Sequence, residues 1–262
     1  VIYGVPGLKV HSKLFLITRK ESGKINHYAH IGTGNFNGDT SKVYTDQTLL
    51  TSNKIITEEI EKVFDFYLDN FKGGVYKHLL VSPFFMRKRL VQLINKEIQN
   101  AKAKKPASII LKLNNLVDDE MIRKLYEASA EGVKIKLIVR GICSLVAGVS
   151  GLSENIEAIS IVDKYLEHSR VFIFHNNGDE KYFISSADWM TRNLDHRSEV
   201  AVPIYDKEIQ QQLKKIINIL WSDNTKVRIL GSTQNNSYRK SNSKVKIRAQ
   251  EEIYTLLKPK KS

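Results

Sequence analysis

Two short strings, His11-Ser12-Lys13 and His168-Ser169-Arg170, set a histidine two residues before a cation. On a strand, side chains alternate with period two, so each histidine shares a face with its cation. That pairing suits a phosphate. A neutral imidazole nitrogen can attack phosphorus while the ammonium or guanidinium neutralises the non-bridging oxygens. Arginine does this bidentately and lysine does not, so the Lys13 and Arg170 versions are not equivalent. After the first string, Gly32-Thr33-Gly34-Asn35 forms a turn lacking a β-carbon at two positions. Its backbone N–H groups and the Thr33 hydroxyl are expected to approach an oxyanion. After the second, Ser185-Ser186-Ala187-Asp188 ends a strand in small hydroxyl residues and a carboxylate. A lone histidine on a strand is usually structural, and His30, His175 and His196 are read that way. The weight on His11 and His168 comes from repetition with the same downstream features in the same order.

The elements that must carry these strings repeat as well. Leu8 to Ile17 reads as a strand, Glu21-Ser22-Gly23-Lys24 as a hairpin turn, and the next strand ends at His30 to Asn35. Leu166 to Phe174 and the turn Asn176-Asn177-Gly178-Asp179 repeat the arrangement. Between them Ile56, Ile60, Val63, Phe64, Tyr67 and Phe71 recur at helical spacing, as do Leu90, Leu93, Ile94 and Ile98. Ala107 to Leu113 reads as a strand, Asp118 caps a helix through Ala130, and Gly132 stops it before the strand Val133 to Val139. A last helix carries Ile209, Leu213, Ile216, Ile217, Leu220 and Trp221. The fold class is therefore α/β, with helices on mixed sheets. A basic, proline-ended stretch, Lys102 to Pro106, suggests a division into residues 1–105 and 106–222, with 223–262 a peripheral basic tail.

Composition narrows the setting. The chain has 262 residues, 42% of them hydrophobic, enough for real cores. No apolar run is long enough to span a membrane. Forty-one Lys and Arg against 28 Asp and Glu give a net charge of +13, which attracts polyanions. The single cysteine, Cys143, has no disulfide or metal partner and reads as a small buried filler in a reducing, cytoplasmic setting. The start lacks an initiator Met and opens on the apolar Val1-Ile2-Tyr3, so upstream sequence is expected to be missing.

Paired histidine motifs of this kind resemble the phospholipase D superfamily, in which two halves meet and one histidine becomes covalently phosphorylated. The usual aspartate a few residues after the first motif is missing, since Leu14 to Thr18 is apolar or neutral, and Arg170 replaces a lysine. Longer strings resemble a more specific family: Tyr3 to Lys13, Gly32-Thr33-Gly34-Asn35-Phe36, Tyr44-Thr45-Asp46, Val139-Arg140-Gly141, Gly151 to Ile156 and Ser185 to Leu194 look like long-chain bacterial polyphosphate kinase. The resemblance implies two phospholipase D-like catalytic halves. It also implies reversible transfer of the ATP terminal phosphate to polyphosphate through a phosphohistidine. Carried over position by position, the phosphohistidine falls on His11 and the second essential histidine on His168. Nucleotide contacts fall on Tyr44, Arg140 and His168, and Lys13, Asn35, Arg170 and Asp188 bind or orient phosphate. Glu154 and Arg192 are read as braces for their loops. The partners implied are ATP or ADP and inorganic polyphosphate, with no obligate nucleic acid. Mg²⁺ would ride on the nucleotide, because no compact Asp/Glu cluster offers itself as a metal site. A homo-oligomer, and peripheral association with the inner face of a membrane, also belong to the implied picture. Ser198 departs from the pattern, where a β-branched apolar residue is usual. Two rival readings stay open: a phosphodiesterase or nuclease using water as acceptor, and a non-catalytic polyanion-binding module.

Overall fold

The chain is described by a computed structural model covering residues 4–69 and 73–259. The apolar start Val1-Ile2-Tyr3 and the helical position Phe71 lie outside the described residues. In chain order the elements are β1 (Lys9–Val10), β2 (Lys13–Glu21), β3 (Lys24–Gly32), α1 (Gly38–Ser41), β4 (Tyr44–Thr45), β5 (Thr48–Thr51), α2 (Lys54–Leu68), β6 (Leu80–Ser82), α3 (Met86–Lys102), β7 (Ser108–Leu113), α4 (Asp119–Ala130) and β8 (Lys134–Val139). There follow β9 (Ile156–Ile161), β10 (Leu166–Glu167), β11 (Arg170–Phe174), β12 (Lys181–Ser185), α5 (Thr191–Asp195), β13 (Arg197–Pro203), α6 (Lys207–Ser222), β14 (Val227–Ile229) and α7 (Ala249–Leu257).

The main mixed sheet runs β1-β13-β12-β11-β7-β8-β9-β14, with β6 also pairing to β13. Its strands alternate between two buried faces, so the protein has three layers. Ile109, Leu111 and Leu113 of β7 face α3 and α4 with Leu90, Ile94, Met121 and Leu125. The opposite face, with Ile138, Ile159, Ile173 and Val200, packs on Ile60 and Val63 of α2 and on Leu213 and Ile217 of α6. Leu14, Leu16, Ala29 and Ile31, from a separate sheet β2-β3-β5, belong to that second core. The β2–β3 turn uses Ser22 and Gly23 at positive φ, 48° and 81°, the twist that a two-residue hairpin needs. Asp118 caps α4 by accepting from the Met121 N–H.

The repeat read in the sequence is a repeat of topology. In each half a hairpin (β2–β3, β11–β12) takes a third antiparallel strand (β5, β13) and then a helix (α2, α6). Two boundaries differ from expectation. Met86, Leu90, Ile94 and Ile98 of α3 pack in one core with β7 and β8, so a division at residue 105 would cut α3 from the sheet it covers. The segment from 223 is not a peripheral tail: β14 pairs with β9, and α7 lies against α6. Asp223 anchors it, accepting from Thr225, Lys226 and Val227 N–H on one oxygen and from Ala249 N–H on the other. A three-residue strand in polar surroundings leaves little periodicity to read.

Candidate active site

The two halves exchange short strands. β1 lies parallel to β13, and the N–H groups of His11 and Ser12 both donate to the Ser198 carbonyl at 2.9 and 3.0 Å. The next residue on β13, Glu199, then meets His11, with Nδ1 2.8 and 2.9 Å from its two carboxylate oxygens. The Glu199 side chain is wholly buried and also accepts from Ser186 Oγ at 2.5 Å and Asn193 Nδ2 at 2.6 Å. With the Nδ1 proton donated to Glu199, the lone pair of His11 rests on Nε2. Among the described residues Nε2 has no hydrogen-bond partner.

The second half repeats this in reverse. β10 pairs parallel to β4, and the N–H groups of His168 and Ser169 donate to Thr45 O at 3.2 and 2.9 Å. The next residue, Asp46, accepts from His168 Nδ1 at 2.8 Å. Each histidine is thus oriented by a carboxylate from the opposite half. The equivalence ends at Nε2: in His168 it lies 3.1 Å from Arg170 Nη1, which donates to it. Burial holds His168 below the usual imidazole range, the Asp46 hydrogen bond offsetting it in part and the Arg170 charge adding to it. Burial alone would raise the Asp46 carboxyl, but the hydrogen bonds from His168 and Thr33, with the Arg170 charge, hold it below the usual carboxylate range.

Lys13 and Arg170 are the cations of the centre, 5% and 4% exposed. Burial lowers Lys13 to about 8, against the attraction of Glu199 and Asp46, and the Arg170 charge lowers it further. Lys13 donates to the His11 carbonyl. Arg170 donates to the Thr33 and His168 carbonyls and pairs with Asp188, Nη2 to Oδ2 at 3.1 Å. Beneath the strings, Tyr67 Oη bridges Ser12 Oγ at 2.7 Å and Ser198 Oγ at 2.6 Å. Its counterpart is the fully buried Lys112, donating to Ser169 O and Oγ at 3.0 Å and paired with Glu167 at 3.2 Å.

The other expected residues divide into those beside the histidines and those not. Tyr44 stands next to His168, ring centroids 4.9 Å apart. Arg140, at the end of β8, donates Nε to Asn114 Oδ1 and to the Glu167 carbonyl. Asp188 braces Arg170 and accepts from the Asn114 and Asn115 N–H groups. Asn35 is exposed on the loop beyond β3, and Glu154 and Arg192 are exposed surface residues. Of the expected oxyanion cradle at residues 32–34, both Thr33 donors are already engaged. The Thr33 N–H donates to Gln47 O, and the Thr33 hydroxyl donates to Asp46 Oδ1 at 2.6 Å. Gly34 is needed for another reason: a β-carbon there would stand 2.0 Å from Asp46 Oδ2. His30 stacks on Phe15 and meets Phe36 at a tilt, His175 closes its own turn by accepting from Gly178 N–H, and His196 is exposed after α5. Cys143 is partly buried, and burial raises its thiol.

Asp46 and Glu199 are the functional residues that motif reasoning passed over. Each follows the two residues that pair with the opposite half's strand, in Tyr44-Thr45-Asp46 and Arg197-Ser198-Glu199. That matched placement was the available signal. Among the described residues no group of three or more His, Cys, Asp or Glu could hold a metal. The three carboxylates of the centre are engaged with His11, His168 and Arg170, so these residues do not form a metal cage. No helix among the described residues is long and apolar enough to cross a membrane.

Residues 1–72 match the family described as polyphosphate kinase C-terminal domain 1, and residues 79–250 match polyphosphate kinase C-terminal domain 2. The chain is 50% identical over 258 residues to the polyphosphate kinase of Escherichia coli (strain K12), covering 98% of this chain and 38% of that protein. It is 51% identical to the polyphosphate kinase of Vibrio cholerae, covering 37% of it. The crystal structure of polyphosphate kinase from Porphyromonas gingivalis superposes with a TM-score of 0.91 at 42% identity, over 97% of this chain and 39% of that one. The chain therefore spans about two fifths of the length of the relatives it matches.

Proposed function

The chain belongs to the polyphosphate kinase family, and from that premise we propose that it carries the phosphotransfer centre of an ATP:polyphosphate phosphotransferase, with His11 as nucleophile. In this reading His11 Nε2 attacks the γ-phosphorus of ATP. The N–P bond forms as the β–γ bridging bond breaks, and ADP leaves with the bond's electron pair. The positive charge that develops on the imidazole is held at Nδ1–H by buried Glu199. Lys13 and Arg170 stabilise the equatorial oxygens. In the second step the terminal oxygen of a polyphosphate chain attacks the phosphohistidine, and the lone pair returns to Nε2. A phosphoramidate is close in transfer potential to ATP, which suits a reversible reaction.

The observation that carries the choice of His11 over His168 is the asymmetry at Nε2. That of His11 is unencumbered, whereas that of His168 accepts from Arg170. His168, its protonation disfavoured by burial, is assigned to the opposite side of the transferring group, beside Tyr44, where Nε2 exchanges a proton once an arriving phosphate draws Arg170 away from it. Arg140 is assigned to the nucleotide phosphates, and Asp188 keeps Arg170 in place. Magnesium enters as part of the substrate, carried by the nucleotide's own phosphates. The division into two catalytic units, oligomerisation and peripheral membrane association stand within the same proposal.

The test is incorporation of acid-labile, base-stable ³²P from γ-labelled ATP into the protein in its complete form. The parent is expected to label and His11→Ala to remain unlabelled. Labelling of His11→Ala at the parental level would overturn the assignment.

A further inference from the structure

Glu199 and Asp46 are matched in place but not in their partners. A hydroxyl reaches each from the residue just after a hairpin strand, Ser186 Oγ to Glu199 Oε2 at 2.5 Å and Thr33 Oγ1 to Asp46 Oδ1 at 2.6 Å. Each hydroxyl accepts from the N–H that follows its carboxylate, Val200 at 3.2 Å and Gln47 at 3.0 Å, so its own proton is directed at the carboxylate. The likeness stops at the second oxygen. Glu199 Oε1 accepts from Asn193 Nδ2 at 2.6 Å. Among the described residues no side chain donates to Asp46 Oδ2, which lies against Gly34.

Asn193 is 2% exposed, and its Oδ1 is buried with no partner among the described residues. An amide kept for the fold alone is expected to meet partners at both ends, whereas this one meets Glu199 only. Its helix is anchored without it. Thr191 ties one end of α5 to Asp118 at 2.8 Å, Asp195 ties the other to Arg87 at 2.6 Å, and Leu194 sits in the core. Two flanking donors, one on each oxygen, set the plane of the Glu199 carboxylate, and His11 Nδ1 then lies 2.8 and 2.9 Å from the two oxygens. Both flanks are neutral, so they hold the carboxylate without competing with the charge that develops on the imidazole. A tilted carboxylate would turn the ring and take Nε2 off the line of attack.

We propose that Asn193, paired with Ser186, is a positioning residue for phosphotransfer, acting through Glu199 to aim His11. The proposal rests on the reading of His11 as nucleophile. Its test is the single-turnover rate of ³²P labelling at saturating γ-labelled ATP in the complete protein, read together with the ATP concentration that gives half that rate. Asn193→Ala is expected to slow labelling roughly tenfold, the loss of a hydrogen bond to a charged group, and to leave half-saturation unchanged. Asn193→Ser, whose hydroxyl is too short to reach Glu199, should behave as the alanine does and serves if the alanine variant fails to fold. In a Glu199→Gln background the same substitutions should cost less than about twofold, because the carboxylate they steady is gone. Ser186→Ala should follow the same pattern, with Ser186→Thr restoring most of the rate. Thr33→Val, which acts at Asp46, should keep its full effect in that background. Any of three results sinks the proposal: labelling at the parental rate in the Asn193 variants, a loss that multiplies in full onto Glu199→Gln, or a rise in half-saturation in step with the fall in rate. Failure of the nucleophile assignment shows separately, as label in His11→Ala.

Discussion

Glu199 is the residue on which the proposed chemistry depends most after His11. Its wholly buried carboxylate accepts from three donors, and it faces the imidazole nitrogen that must gain positive charge during attack. Glu199→Gln keeps the volume and removes the charge, so single-turnover labelling is expected to slow by roughly a hundredfold. Asp46→Asn at the other histidine should slow labelling less, since Asp46 orients a group that does not form the N–P bond. Equal losses in the two variants would contradict the assigned asymmetry. Lys13 supplies a pH dependence. In the proposed mechanism its charge holds phosphate, and burial disfavours that charge, so without ligand it is lost near pH 8. Phosphate affinity should therefore fall as pH rises through about 8. Stability runs the opposite way. Between about 8 and the ordinary lysine value of 10.5 the unfolded chain holds a proton that the fold does not, so the contribution of Lys13 to stability rises with pH across that window. Urea midpoints of the parent and Lys13→Met, compared at pH 7.5 and 10, check this: the parent should gain on the variant at the higher pH.

At the scale of elements, the parts that make their own local case were legible. The capped helix after Asp118, the strands flanking it, the hairpin at Ser22-Gly23 and the apolar stripe of α6 all announce themselves through periodicity and turn chemistry. The exchanged strands did not. β1, β4 and β10 are two residues long, and their pairings join positions far apart in sequence, so nothing local marks them. For that reason His11 and His168 stand out in the sequence while their carboxylates show only through the matched placement of the two strings, and the clearance that Gly34 gives Asp46 shows only in the fold. Arg87 shows the same limit. It sits in α3 and joins two other helices, donating to the α4 cap Asp118 at 2.6 and 2.7 Å and to Asp195 of α5 at 2.8 and 2.6 Å. Asp118 is 2% exposed, so Arg87→Ala would leave a buried charge without its partner. The expected loss is about 3 kcal/mol in urea denaturation. Arg87→Lys should recover little of it, because an ammonium cannot serve two carboxylates in a fork.

For the molecule as a whole, the pseudo-two-fold arrangement means that neither half has a complete site, and the last segment ties the second half shut. Val227 and Ala249 belong to the core beneath α6, and Arg248 pairs with Asp163 at 2.6 Å. Gln250 clasps the Tyr165 backbone and reaches Glu167 at 2.8 Å, and Glu167 in turn holds Lys112 and Thr45 beneath His168. A chain ending at residue 222 would expose the β9 edge and the apolar side of α6, and it is expected to unfold at clearly lower urea than the parent. Gln250→Ala separates the two roles of the segment. Its hydrogen bonds are partly exposed, so stability should change by only about 1 kcal/mol. The loosened Glu167 should nonetheless slow phosphotransfer several-fold through His168, with the labelling of His11 retained. If Gln250→Ala were to transfer phosphate at the parental rate, the segment would be a structural cover alone, and the link from α7 to the second histidine would fall.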